Sequence, residues 1–152
     1  DLAIKAATRL NKKLIVFGNG PAHDQLVKIA GPTVEFRADR FGDASDAEYE
    51  KAITTARGFI YPAEEDFGIV SVEALAAGAP VIGLARGGTT DIVTSPDIGT
   101  LFQHQTVDDI AKAIKITEQT RFYPSKLART AKRFDKGLFL TKIKKVVRDS
   151  IS

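Results

Sequence analysis

The 152-residue sequence contains no cysteine, no methionine and no tryptophan. Without cysteine, neither disulfides nor thiolate metal sites are available, which fits a reducing cytoplasm. Only His23 and His104 offer imidazole, and neither has a further ligand at helical spacing, so no metal is expected. Both read as ordinary surface residues. No apolar run approaches the ~18 residues of a membrane span, and no secretory pattern opens the chain. Charge of one sign is also scarce: 22 Lys and Arg against 19 Asp and Glu leave a net +3, too little to point to nucleic acid. With a start at Asp1 and no methionine anywhere, these residues are expected to be a piece of something longer.

What is present describes one globular domain. The length suits a single domain able to bury roughly 70% of its unfolded surface. Composition is 43% hydrophobic and 27% charged, ordinary for a folded chain. The charge is unevenly placed. From Arg121 to Asp149 there are ten Lys or Arg and two Asp, whereas Glu35 to Asp66 is acid-rich. The basic segment reads first as the wet faces of two helices, and second as a surface for anionic lipid, which would put the protein at the inner face of a membrane.

Strands and helices alternate along the chain. Residues 2–10 form an amphipathic helix. Residues 13–17 (KLIVF) are a short apolar run closed by Gly18-Asn19-Gly20-Pro21, the mark of a buried strand. Pro21 suits the first turn of a helix reaching about residue 30. Further strands are expected near 33–36, 58–61, 80–84 and 100–102. Ser45 is an N-cap with Glu48 as capping-box partner, opening a helix to about residue 56. A loop at 63–67 leads into a helix over 68–77, stopped by Gly78. Gly87-Gly88 opens a short helical piece to 93, and helices follow near 106–118, 124–134 and 138–150. Such alternation implies a parallel sheet with helices on both faces, and ligands bind outside the carboxyl ends of the strands.

The most informative stretch runs from Ala63 to Gly78, AEEDFGIVSVEALAAG, on a strand–loop–helix joint. Gly68 permits close approach of a ligand to the backbone. The amides of Gly68, Ile69 and Val70 are the unpaired donors of a helix start, where the dipole also favours an anion such as a diphosphate. Glu65 lies on the loop facing the same cleft. Glu73 sits about 7–8 Å along the helix axis from its start, close enough for its carboxylate to accept from two ribose hydroxyls. Acidic residues in a first turn also stabilise a helix without any ligand, which accounts for Glu64, Glu65 and Asp66. It accounts poorly for Glu73, set between Val72 and Ala74. A second cluster, Arg86-Gly87-Gly88, follows the strand PVIGL and reads equally as an amide nest for an anion or as a flexible turn. Gly18 and Gly20 form a third, weaker one.

From Glu65 to Glu73 the sequence resembles the Glu-x7-Glu signature of retaining glycosyltransferases of the two-domain GT-B type, and its wording is similar to bacterial mannosyltransferase-like members. The flanks YPAEEDFGIVSVEALAAGAPVIGLARGGTTDIV, together with FGNGP, VEF and LFQHQTVDDIAKAI, fall in the family's order and span essentially the whole chain. The resemblance implies an α/β fold, a Rossmann-like three-layer domain with a parallel sheet, forming the C-terminal half of a GT-B architecture. Residues 1–152 would then be a single donor-binding domain without its first strand and without the N-terminal acceptor domain.

Role by role, the resemblance implies that Glu65 is the catalytic residue, holding donor-sugar hydroxyls near the reacting carbon. Phe67, Gly68, Ile69 and Val70 would meet the sugar and diphosphate, and Glu73 the ribose. Gly18 and Gly20 would line the cleft floor, the stretch from Phe36 to Ala38 would border the base, and Arg86, Gly87 and Gly88 would shape the diphosphate end. The partner so implied is a nucleotide sugar, of mannose by the wording of the segment, used as donor substrate with no cofactor and no metal, and the work is electrostatic stabilisation of the departing nucleoside diphosphate. Family members carry an Arg and a Lys just upstream of the opening helix. These are absent here, so the isolated chain is expected to bind nucleotide weakly and turn nothing over. The uncovered sheet edge could pair a dimer.

Three rivals remain. A dinucleotide-binding oxidoreductase needs a third glycine after Gly18-Asn19-Gly20, where His23 stands. A GT-B sugar epimerase shares the architecture. A non-catalytic interaction module would keep the scaffold alone.

Overall fold

The computed structural model describes residues 1–18, 20–37 and 45–150. Five strands follow one another: β1 (Leu14–Phe17), β2 (Val34–Arg37), β3 (Phe59–Tyr61), β4 (Val81–Leu84) and β5 (Gly99–Phe102). Helices separate and follow them: α1 (Leu2–Leu10), α2 (His23–Ile29), α3 (Asp46–Thr55), α4 (Ile69–Ala76), α5 (Gly88–Ile92), α6 (Val107–Gln119), α7 (Pro124–Ala131) and α8 (Lys136–Ser150), with a 3-10 turn at Lys132–Phe134 before the last. All strand pairs are parallel. The α/β class and every expected element are therefore found, with small shifts at the ends. The helix expected over 124–134 ends at Ala131 and continues as the 3-10 turn, and α2 begins at His23 because residues 21 and 22 are used in the turn.

One expectation is corrected. The strands do not form a single hydrogen-bonded sheet but two: β1 with β2, and β3-β4-β5. β1 and β3 each leave an edge unpaired by the described residues, and both are half-buried throughout although they read Leu-Ile-Val-Phe and Phe-Ile-Tyr. β4, paired on both sides, is buried at all four positions. β5, paired on one side only, is nonetheless buried at three of its four positions, because α6 covers it.

Strand alternation sends side chains to two cores. Val81 and Phe59 face one layer with Ile53, Leu75, Ile92 and Leu127 from α3, α4, α5 and α7. Ile82, Leu84 and Phe102 face the other, with Ala6 of α1 and Ile110, Ala113 and Ile114 of α6. Leu75, Leu84, Ile110 and Leu127 are among the residues fully enclosed. Each such side chain contributes about 1.5–3 kcal/mol through burial. Helix α1 lies on α6 and also reaches β2, so it bridges the two sheets on one face. The Arg9–Asp108 pair at 2.5 Å and the Lys12–Glu118 pair at 2.7 Å run along that bridge. On the other face Phe17 meets Tyr49 of α3 edge-on, ring centres 5.3 Å apart.

The helix ends carry the signals read from the sequence. Ser45 and Glu48 form a reciprocal capping box at α3. Gly78, at φ 88°, terminates the α4 segment in the left-handed conformation. No helix among the described residues is long and apolar enough to cross a membrane.

Candidate functional site

Parallel strands all carry their carboxyl ends to one rim, so the loops after β1, β3 and β4 share it. β3 pairs with β4 in the register Tyr61↔Gly83. The loop at residues 62–68 and the turn at residues 85–87 are therefore neighbours. Two clusters far apart in sequence are thereby brought together.

The contact between them is backbone on backbone. The Gly88 N–H donates to the Glu65 carbonyl at 2.8 Å. A Cβ on Gly88 would stand 2.4 Å from the Phe67 carbonyl oxygen and 2.5 Å from that of Asp66. A Cβ on Gly87, itself at φ 58°, would stand 2.4 Å from the Glu65 carbonyl oxygen. The paired glycines are thus required for close packing of one loop on the other. Gly88 spends its amide inside the protein, which favours the shaping role over an open amide nest. Gln105 fixes the start of the same loop by donating to the Pro62 carbonyl at 2.9 Å.

Gly68 is the N-cap of α4, buried, at φ 88° and ψ 54°, a left-handed conformation suited to glycine. The first helical amide with a partner inside the helix is that of Ser71, bonded to the Gly68 carbonyl at 3.0 Å. The Ile69 and Val70 amides precede it and belong to the unpaired start of the helix, where the dipole presents partial positive charge. Phe67 and Ile69 are exposed beside it, with Phe67 edge-on to Phe134 at 5.7 Å. Ser71 Oγ and Thr89 Oγ1, both buried, have no hydrogen-bond partner among the described residues. Arg86 is exposed, its guanidinium 3.9 Å from the Glu64 carboxylate.

Glu65 has a partner that sequence reasoning missed. The Tyr61 hydroxyl, at the carboxyl end of β3, donates to the Glu65 carboxylate. Burial first, and then that carboxylate, push the Tyr61 hydroxyl from its ordinary value near 10 up to about 12. The i to i+4 spacing was readable, but nothing marked a turn that folds back on the strand end.

Glu73, half-buried on α4, lines a cleft of about 600 Å3 with Asp46, Tyr49, Glu50, Ile53 and Ala77. The α3 wall of that cleft was also not foreseen. It arises because α3 and α4 pack on the same face of the β3-β4-β5 sheet. Gly18, at φ 134°, and Gly20 border open space after β1. Phe36 lies in β2, its ring 5.3 Å from that of His23. Ala38 and Asn19 lie outside the described residues. Among the described residues no three His, Asp or Glu side chains come together as metal ligands.

Comparison with known proteins bears on the family and the fold. Residues 1–134 match the family model described as glycosyl transferases group 1. A sulfoquinovosyl transferase of Arabidopsis thaliana is 28% identical over 141 residues, which cover 87% of this chain and 27% of that protein. A GDP-mannose-dependent alpha-mannosyltransferase of Mycobacterium tuberculosis is 32% identical over 108 residues, covering 67% of this chain and 27% of its own. The chain thus spans about a quarter of the length of these relatives. Among solved structures, an Anabaena protein in complex with UDP and glucose has the same fold, with a TM-score of 0.76 at 21% identity over 97% of this chain and 44% of that one.

Proposed function

This chain belongs to the family of glycosyl transferases group 1, and we propose that it is the nucleotide-sugar-binding half of a retaining GT-B transferase. In that reading a hexose, mannose by the wording of the Glu-Glu-Asp-Phe-Gly-Ile segment, passes from a nucleoside diphosphate to a glycan or lipid-linked acceptor. The observation that carries it is the joint between the loop at residues 62–68 and the turn at residues 85–87. It places a glycine-capped helix start, Glu65 and Arg86 on one rim, with Glu73 four residues into the same helix.

Each part then has a task. The diphosphate lies at the α4 start, where the Ile69 and Val70 amides and the helix dipole stabilise charge as the glycosidic C–O bond breaks. Glu65, held by Tyr61, accepts hydrogen bonds from sugar hydroxyls. Glu73 accepts from the ribose, and the cleft against α3 leads towards the base. Arg86 is a cation at the rim. No metal or cofactor is called for.

The split sheet supports the same reading. One parallel strand between β1 and β3 would give the order β2-β1-x-β3-β4-β5, the doubly wound arrangement. We assign that place to polypeptide outside these 152 residues, along with a domain that holds the acceptor.

The test is calorimetric titration with GDP, UDP, GDP-mannose and NAD, repeated on Glu73→Ala. The expected result is binding of one nucleoside diphosphate, weakened by about 10- to 100-fold in the variant through loss of hydrogen bonds to a charged acceptor. Binding of NAD alone, or nucleotide binding indifferent to Glu73, would overturn the assignment.

A further inference from the structure

Helix α4 is braced by α7. A Cβ on Gly78, which ends the α4 segment, would stand 2.8 Å from the Pro124 Cβ, so the start of α7 sits against the end of α4. The two helices pack on each other, and each has eight residues. α7 therefore runs back along α4, and its far end arrives at the level of Gly68. There it turns into the 3-10 segment Lys132–Phe134.

Two consecutive residues of that segment reach the two halves of the site. The Phe134 ring, half-buried against the core, meets Phe67 edge-on at 5.7 Å, and Phe67 directly precedes Gly68. The Arg133 guanidinium donates to the Ile92 carbonyl at 2.7 Å and also to that of Asp91, at the end of α5. These are carbonyls that a helix end leaves without an internal partner. Ile92, itself buried, closes on Gly68: a Cβ on that glycine would stand 3.3 Å from Ile92 Cδ1. The guanidinium also lies over the Phe134 ring, 4.7 Å from its centre, which ties the two contacts together. Both routes converge on the cap of α4.

We propose that Arg133 and Phe134 are positioning residues for the diphosphate, a role that rests on the donor-site reading above. They act through Ile92 and Phe67 and set the direction of the Ile69 and Val70 amides. Gly68 calls for such a clamp. Its left-handed conformation lets the chain turn into α4, but glycine has no side chain with which to hold that turn in place. A hydrogen bond weakens steeply as its donor swings off line, so amides that meet an anion have to be fixed by groups outside their own turn. Arg133 is exposed, and water could satisfy the same two carbonyls, so what its bonds add is placement rather than stability.

The experiment is titration of the 152-residue chain with GDP, UDP, guanosine and uridine, followed through its backbone amide resonances. Arg133→Ala and Phe134→Leu should each displace the Ile69 and Val70 signals of the free chain. Each should weaken binding of whichever diphosphate the parent takes up by about tenfold, the loss of roughly one charge-assisted hydrogen bond, and leave binding of its nucleoside unchanged. Arg133→Lys should recover most of that loss, because one guanidinium nitrogen serves both carbonyls and an ammonium can replace it. Ile110→Val, which opens a small cavity in the other core, should lower the thermal midpoint at unchanged affinity. Unchanged diphosphate affinity in either clamp variant, or equal loss of diphosphate and nucleoside, would overturn the clamp while the donor site stands. A parent that takes up neither diphosphate would overturn the donor-site reading, and the clamp's role with it.

Discussion

Replacing Gly88 by alanine tests the joint on which the site depends. The added Cβ would meet two carbonyl oxygens, of Phe67 and Asp66, at 2.4 and 2.5 Å, and the Phe67 Cα at 2.7 Å. All three are main-chain atoms, so no rotamer change can relieve the overlap. The loop at residues 62–68 must move away from α5, at an overpacking cost of about 1–3 kcal/mol. Moving it also stretches the 2.8 Å bond from the Gly88 N–H to the Glu65 carbonyl, worth about 0.5–1.5 kcal/mol. The total is about 2–4 kcal/mol, which at roughly 2–4 °C per kcal/mol for a domain of this size lowers Tm by roughly 5–15 °C. Gly20→Ala is the matched control, because a Cβ there meets nothing within 4 Å. It should stay within about 0.5 kcal/mol of the parent. Circular-dichroism melts of both variants measure the difference. If Gly88→Ala melts with Gly20→Ala, the two loops do not bear on each other and the joint is misdrawn.

Two further outcomes can be checked on the chain alone. Tyr61 has its pKa raised to about 12, so the fold favours its protonated form: that contribution is whole below pH 10 and is lost as pH rises through about 12. The tyrosinate absorbance difference between the parent and Tyr61→Phe should therefore rise near pH 12; a rise near pH 10 would remove the Glu65 contact. Leu75, fully buried where α4 meets the core behind the site, should cost about 2–5 kcal/mol as Leu75→Ala in urea unfolding, and a loss below 1 kcal/mol would misplace α4.

Much of this was open to reading residue by residue. Leu14–Phe17 and Val81–Leu84 are apolar runs closed by turn residues, and both are strands. Ser45 with Glu48 spelled a capping box, and both bonds of the box are present, at 3.3 and 3.0 Å. Gly68 and Gly78 bracketed the helix that carries Glu73, and both hold positive φ. The spacing from Glu65 to Glu73 placed one carboxylate on a loop and the other on a helix.

Other features could not be read that way. That Arg86-Gly87-Gly88 sits on the Glu65 loop depends on the register Tyr61↔Gly83, which no local signal encodes. The Tyr61 hydroxyl reaches Glu65 only because the loop folds back over the strand end. That the segment of α8 is basic was evident, but that its large apolar side chains stay open was not. Nor was the parting of the strands into two sheets, since β1 reads as apolar as a fully paired strand.

The sequence by itself determined where helices and strands begin and end, and which residues could meet an anion or a ribose. Those features rest on hydrogen bonds and periodicities that act within a few residues of chain. Tertiary structure alone decided which loops touch, which carboxylate gains a phenol, and which apolar faces stay open. Those depend on strand register and close packing between segments far apart in sequence, and such contacts leave no mark on either segment read alone.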